Sequence, residues 1–360
     1  MLSSPIDASL FGVELRRADF YTVIRRQHLP LLTAFLAAVV LLGCEKEITV
    51  DLPETAPKIV IEGFIEQNQP PIVFLTRSQG YFDPVDLQSL SQFYVRGATV
   101  TVSNGTQTIQ LDEVCTSELP EPLLEAVAEM LGFSPEDLAA VDICGYISLD
   151  PAIWGEVGKE YTLSVDYGDT HLHAVTKINN LVAIDSLWFE VTSLGPADSL
   201  GFIFGILNDP DTLGNAYRWF AKRISHYPVW ENNLTQGIYE PGLGGQQEDA
   251  GYIAPLGSVF DDEFFNGLSF EFGYYRDAVF NSNKRDDNDI EEGFYKRGDT
   301  VAVRGCVIDQ GVFRFLSQFE DQQGSQGSPF SVPFNLQGNV EGGLGAWIGY
   351  GAVYDTVICQ

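Results

Sequence analysis

The segment 57-PKIVIEGFIEQNQPPIVFLTRS-78 holds two apolar, β-branched runs separated by a polar, proline-ended stretch. Ile, Val and Phe pack well on a pleated, half-buried surface, and a turn between two such runs is how one strand stops and the next begins. The same pattern continues in 94-YVRGATVTVS-103, 106-TQTIQL-111, 159-KEYTLSVDY-167 and 170-THLHAVTKI-178, with Asn104-Gly105 and Gly168-Asp169 as turns. Short strands at this spacing predict an antiparallel β-sandwich over residues 57–178.

The predicted sandwich resembles an immunoglobulin-like domain, with one interruption. Residues Pro122 to Leu131 have helical spacing and stop at Gly132, and Ser134-Pro135-Glu136 supplies an N-cap, a first-turn proline and an early acid for a second helix. A small helical hairpin is therefore expected as an insertion at 117–142. Residues 179–184 read as a linker. A second β-rich region, 185–360, follows in 186-SLWFEVTS-193, 201-GFIFGIL-207, 215-NAYRWFAKRI-224, 267-GLSFEFGYY-275, 300-TVAVRGCVI-308 and 311-GVFRFLSQFE-320. It is expected to form another β-sandwich or a partly open barrel, with long loops at 225–262 and 277–298, where function is more often carried than in scaffold.

Upstream, Leu29 to Leu42 is uncharged but shorter than the roughly 20 apolar residues a helix needs to cross a bilayer. Arg25 and Arg26 precede it, which is the polarity of a secretory signal. The run closes on Leu41-Leu42-Gly43-Cys44, which looks like a bacterial lipobox. Residues 1–43 are then a lipoprotein-type signal peptide, Cys44 carries the acyl chains, and 44–56 is an acidic tether. Each buried methylene contributes about 0.8 kcal/mol, so several chains on one cysteine hold a protein on a membrane without spanning it. The mixed charge before Val23 is unlike a signal n-region, and translation starting near Val23 would remove it.

The chain carries 20 Lys+Arg against 50 Asp+Glu, a formal charge of -30. Nucleic acid binding depends on cationic contacts to phosphate, so that class of partner is excluded. The four cysteines beyond Cys44 are an even number in an exported chain. Cys115 with Cys144, and Cys306 with Cys359, are the favoured disulfide pairs because each would lie within one proposed domain. Cys-x-x-Cys spacing is lacking, which disfavours the metal alternative.

Catalytic motifs are scarce. There is no Gly-x-Ser-x-Gly, His-Glu-x-x-His or phosphate loop, and 242-GLGG-245 and 342-GGLG-345 read as turns. His171 and His173 alternate on a strand and point the same way, with no third ligand in view. Acids cluster at Asp209-Pro210-Asp211 and along Asp287, Asp289 and Glu291; calcium is the ion such oxygens suit, and a solvated charge run is the competing reading. Tyr227, Trp230 and Tyr239, in a loop rich in Gly and Asn, offer stacking surface to a sugar or a protein, against a reading as core packing.

Further residues carry a family resemblance. The closing run 327-GSPFSVPFNLQGNVEGGLGAWIGYGAV-353, the start Cys44-Glu45-Lys46-Glu47 with 57–78, "GKEYTLSVDYGD" leading to "IDSLWF", and "YKRGDTVAV" together resemble a Bacteroidota outer-membrane lipoprotein family, domain of unknown function forty-two forty-nine. The resemblance implies a lipid-anchored outer-membrane protein that assists a TonB-dependent receptor in nutrient uptake. It brings no catalytic residues and no cofactor. Glu45 and Glu47 are similar to the acidic signals that send such lipoproteins to the cell surface. The expectation is a non-enzymatic accessory whose acidic loops and 225–262 loop make the contacts. A surface glycan-binding module is the alternative, and an unrecognised hydrolase the third reading.

Overall fold

The computed structural model describes residues 56–78, 93–125, 138, 142–193, 200–225, 248–249, 251–274, 276, 293–324 and 336–360. Its first strands are β1 (Ile59–Glu66), β2 (Ile72–Arg77), β3 (Thr99–Ser103), β4 (Thr108–Gln110), β5 (Asp112–Cys115), β6 (Cys144–Ile147), β7 (Glu160–Tyr167) and β8 (Thr170–Lys177). After them come β9 (Ile184–Val191), β10 (Leu200–Asn208), β11 (Ala216–Ser225), β12 (Val259–Asp261), β13 (Ser269–Tyr274), β14 (Tyr295–Lys296) and β15 (Thr300–Ile308). Helix α1 (Gln310–Gly324), β16 (Val340–Glu341) and the long β17 (Leu344–Ile358) complete the chain. The protein is mainly β, and its sheets stack as sandwiches.

An eight-stranded sheet in the order β12-β11-β15-β17-β1-β2-β6-β5 is the backbone of the structure. β17 joins its halves: residues 344–350 pair in parallel with β1, and residues 351–358 pair antiparallel with β15. Successive residues of a strand face opposite ways, so Trp347 and Val357 lie on one face of β17, and Ile348, Tyr350 and Ala352 on the other. Two smaller sheets cover the first face. The five-stranded sheet β16-β8-β7-β3-β4 meets it through Ile61, Ile65, Val100, Leu163, Val165 and Trp347. The four-stranded sheet β13-β10-β14, with β9 on β10, meets it through Ile203, Leu207, Trp219, Phe272 and Val303. Each such side chain contributes about 1.5–3 kcal/mol when fully buried.

The opposite face is covered by α1, through Val312 and Leu316 against Phe220, Ile308 and Ile348. This corrects the reading of 311–320 as a strand. Val312, Leu316 and Phe319 recur at helical spacing, and the Phe313-Arg314-Phe315 alternation masks that period over three residues. Among the described residues it is the helix, and not a further sheet, that covers this face.

The connection at 179–184, expected as a linker, leaves β8 along the glycine side of β17. A Cβ on Gly349 would stand 2.4 Å from the Lys177 carbonyl oxygen, so only glycine lets the two backbones touch there. Asp309 fastens the crossing from the other side, accepting from the Lys177 amide at 2.8 Å and from Asn179 Nδ2 at 3.2 Å. Strands from before the connection (β1, β2, β5 and β6) and from after it (β11, β12, β15 and β17) meet in the eight-stranded sheet, and Thr55–Gln360 is one compact unit.

Cys115 and Cys144 face each other across β5 and β6 and are joined, closing the base of the insertion at 117–142. Within that insertion residues 121–125 are helical and Leu138 is buried; the remainder, 126–137 and 139–141, lies outside the described residues. The expected Cys306–Cys359 bond is not formed, and both are buried free thiols. Cys306 sits opposite Ala352 in the strand register, under the α1 face, whereas Cys359 packs in the core on the other face. Seven residues of extended strand from 352 to 359 separate the two levels by about 20 Å, beyond any disulfide.

Candidate functional site

Strand alternation assembles the most chemically loaded surface of the described residues. Arg218 and Phe220 on β11, Arg304 and Cys306 on β15, and Tyr350 and Tyr354 on β17 share the α1 side of the large sheet, and Glu66 of β1 registers with Tyr350. The Arg304 guanidinium lies 4.5 Å from the Phe220 ring centroid and 4.7 Å from that of Tyr350. Arg218 lies 4.8 Å from the Phe220 ring on its own side and donates to the Tyr350 hydroxyl at 2.8 Å. Two cations thus share one aromatic ring, which attracts them through its quadrupole. Glu66 accepts from both Arg304 and the Tyr354 hydroxyl. Next to it, Gln67 takes the Ala352 amide at 2.8 Å and donates to the Ala352 carbonyl at 2.6 Å.

Burial pushes the Tyr354 phenol up, and its hydrogen bond to Glu66 adds to that. Burial pushes the Cys306 thiol up to about 12 although Arg304 pulls the other way. A thiol with that value is not a nucleophile near neutral pH. Burial alone would lower Arg304, but Cys306, Glu66 and the two tyrosines keep it firmly protonated. The Nε atoms of Arg218 and Arg304 are buried without hydrogen-bond partners. At the rim, Tyr354 is 54% exposed and its ring meets Tyr252 edge-on at 5.9 Å. The cluster is a fixed aromatic and cationic platform with the Tyr354 and Tyr252 rings at its rim.

Of the sequence-predicted site residues, Cys306 belongs to this cluster. Cys44, the loop aromatics Tyr227, Trp230 and Tyr239, and the acids Asp287, Asp289 and Glu291 fall outside the described residues. Asp209 is buried and accepts from the Tyr217 hydroxyl, from the Gly267 amide at 2.9 Å and from Asn215 Nδ2 at 3.4 Å. Its neighbour Asp211 is exposed. His171 and His173 are exposed on β8, and His171 Nδ1 lies 2.5 Å from Asp166. Among the described residues, the one grouping with metal-ligand spacing is Glu113, Cys115 and Cys144. Its two sulfurs are bonded to each other, and Glu113 accepts from the Gly97 amide, the Tyr146 hydroxyl and Arg96.

The platform was legible in part. "YRWFAKRI" and "VAVRGCVI" place Arg218 and Arg304 inside strongly apolar strands, and a cation on a buried strand face needs an anion or a ring opposite it. Which anion answers cannot be read locally, since Glu66 stands 238 residues from Arg304.

No curated protein and no solved structure matched the chain. A family model, a domain of unknown function (DUF4249), matched residues 45–354, nearly the whole β-rich region. By that match the chain belongs to the DUF4249 family.

Proposed function

We propose that this protein is a lipid-anchored outer-membrane lipoprotein, held through acylated Cys44 and exposed at the cell surface, that serves as a non-enzymatic accessory of a TonB-dependent receptor in nutrient uptake. One observation carries the choice of binding over catalysis. The strongly polar groups at the chemically loaded surfaces are committed to bonds that lock strands and loops, as in Arg304–Glu66 and Asp209–Gly267. Those surfaces also offer aromatic and aliphatic side chains to solvent, such as Tyr354, Phe264 and Leu213. A rigid scaffold that displays apolar contact area suits recognition. The reading needs no cofactor; calcium at Asp287, Asp289 and Glu291 would be an addition to it, detectable by calorimetric titration of the metal-free protein.

Gentle detergent extraction at native expression, without crosslinker, is the test, and a receptor of the TonB-dependent class is expected to co-purify. Recovery of the lipoprotein alone overturns the reading. Labelling with a fatty-acid probe should mark the protein and fail on Cys44→Ala.

The paired rings of Tyr252 and Tyr354 beside Arg304 favour a second reading, glycan capture before uptake, since exposed rings stack on sugars. Tyr354→Ala would then weaken retention on immobilised glycans while leaving receptor co-purification intact.

A further inference from the structure

At one end of the second sandwich, residues 209–215 and 261–268 form two loops bound to each other. Asp262 accepts from the Gly214 and Asn215 amides, each at 2.9 Å. Asp209 returns the tie by accepting from Gly267 at 2.9 Å, and its own amide donates to the Leu268 carbonyl at 3.0 Å. Both carboxylates are buried. Beneath them Phe265 anchors the second loop, stacked on Phe270 at 4.4 Å. The loops are therefore held in shape before anything binds.

Three large apolar side chains project from this locked tip: Leu213 is 71% exposed, Phe264 88% and Leu268 59%. Single exposed apolar residues are ordinary, but three carried by two loops bonded to each other concentrate apolar surface at one end of the sandwich, and concentrated apolar surface marks interaction sites. The patch has a charge signature. Asp211 and Glu263 are exposed and Asp261 is half-buried around it, and neither loop contains a lysine or arginine. A bilayer would have to accept these carboxylates at headgroup level, where anionic lipids repel them. A protein pocket presents the complementary chemistry, since arginine is enriched at interfaces and rims are polar.

We propose that the Leu213, Phe264 and Leu268 tip is a docking wedge that inserts into an apolar pocket of a partner protein whose rim carries lysine and arginine. Preformed loops lower the ordering cost of binding, and the acidic ring steers the encounter and disfavours partners without a basic rim. The proposal deepens the accessory reading by naming the surface that a receptor would grip.

The test places the photo-crosslinker p-benzoylphenylalanine at position 213, 264 or 268 of the full-length protein in its own cells, with position 149 as a control. Leu149 is equally exposed, at 71%, in the first sandwich. The expected result is one and the same partner polypeptide from all three tip positions and none from 149. Crosslinking should fall about tenfold or more with Phe264→Ser, as for a hot-spot residue. It should fall as well with the paired change Asp211→Lys and Glu263→Lys, and with added salt on isolated membranes. The thermal midpoint of these variants should stay at the wild-type value, which separates lost docking from lost folding. Adducts with lipid only, with a second copy of the chain, with 149 as strongly as with the tip, or insensitive to charge reversal each overturn the wedge. So does an absence of adducts. A receptor that co-purifies without tip adducts sinks the wedge and spares the accessory reading; charge-dependent tip adducts with a protein of another class do the reverse.

Discussion

Glu66 and Arg304 meet where the two halves of the large sheet join, with side chains only 9% and 13% exposed. Removing one partner of a buried pair leaves an uncompensated charge, so Glu66→Ala should cost about 3–5 kcal/mol in urea unfolding. The double variant Glu66→Leu with Arg304→Met should recover most of that loss. A single-variant cost below about 1 kcal/mol, the size of an exposed pair, would show that the contact is not desolvated. Glu113 makes a pH prediction. Burial would raise its carboxyl, but the Gly97 amide, Tyr146 and Arg96 hold it below the ordinary glutamate range. A depressed folded-state value means that its stabilisation is complete above the unfolded-state pKa and is lost as pH falls through the folded-state one. The wild-type protein should therefore lose more stability on acidification than Glu113→Gln, measured as urea midpoints against pH; parallel curves would show that Glu113 contributes nothing.

At the scale of elements, the Cys115–Cys144 bond joins neighbouring strands across a separation of 29 residues. On the chain-entropy account, Cys115→Ser with Cys144→Ser should cost about 3–4 kcal/mol. Thiol titration gives a companion check. The folded, non-reduced chain from residue 45 onward should show no reactive thiol, and unfolding it should release those of Cys306 and Cys359, which burial protects. A disulfide between those two would leave the unfolded chain silent. Helix α1 illustrates how an element's type is settled by what it covers. Its run of Phe residues suits a strand by composition, yet the sheet face carrying Phe220, Ile348 and Tyr350 has room for a helix whose Val312 and Leu316 reach down together.

For the whole molecule, β17 is the member on which both sandwiches depend. Trp347 is fully buried in the first core, and its Nε1 donates to the Tyr161 carbonyl at 3.0 Å. Asn339 braces the same residue, donating to its carbonyl at 2.7 Å and accepting from its amide at 2.9 Å. A fragment of residues 57–178 lacks this strand, this indole and the β1 edge partner. It should be unfolded when expressed alone, with a collapsed amide dispersion in NMR, whereas the chain from 45 to 360 is well dispersed. Supplying residues 336–360 in trans should restore structure, and a fragment that folds unaided would mean that the first sandwich is an independent domain.

Local sequence determined much of this protein. Period-two runs and their Gly, Asn and Pro turns predicted β1, β2, β7, β8, β10, β11 and β15 within a residue or two, because a strand with one buried face writes that face into its own alternation. The tie between Cys115 and Cys144 was legible for a similar reason, since both lie at the base of a single insertion. The tertiary structure alone decided which strands are neighbours. That Gly349 must be glycine, that Arg304 answers Glu66, and that Cys306 and Cys359 lie on opposite faces of one sheet all follow from contacts between residues far apart in the chain. Such contacts leave no periodic mark, because pairing register and sheet order are set by the whole core closing at once and not by the residues on either side of a position.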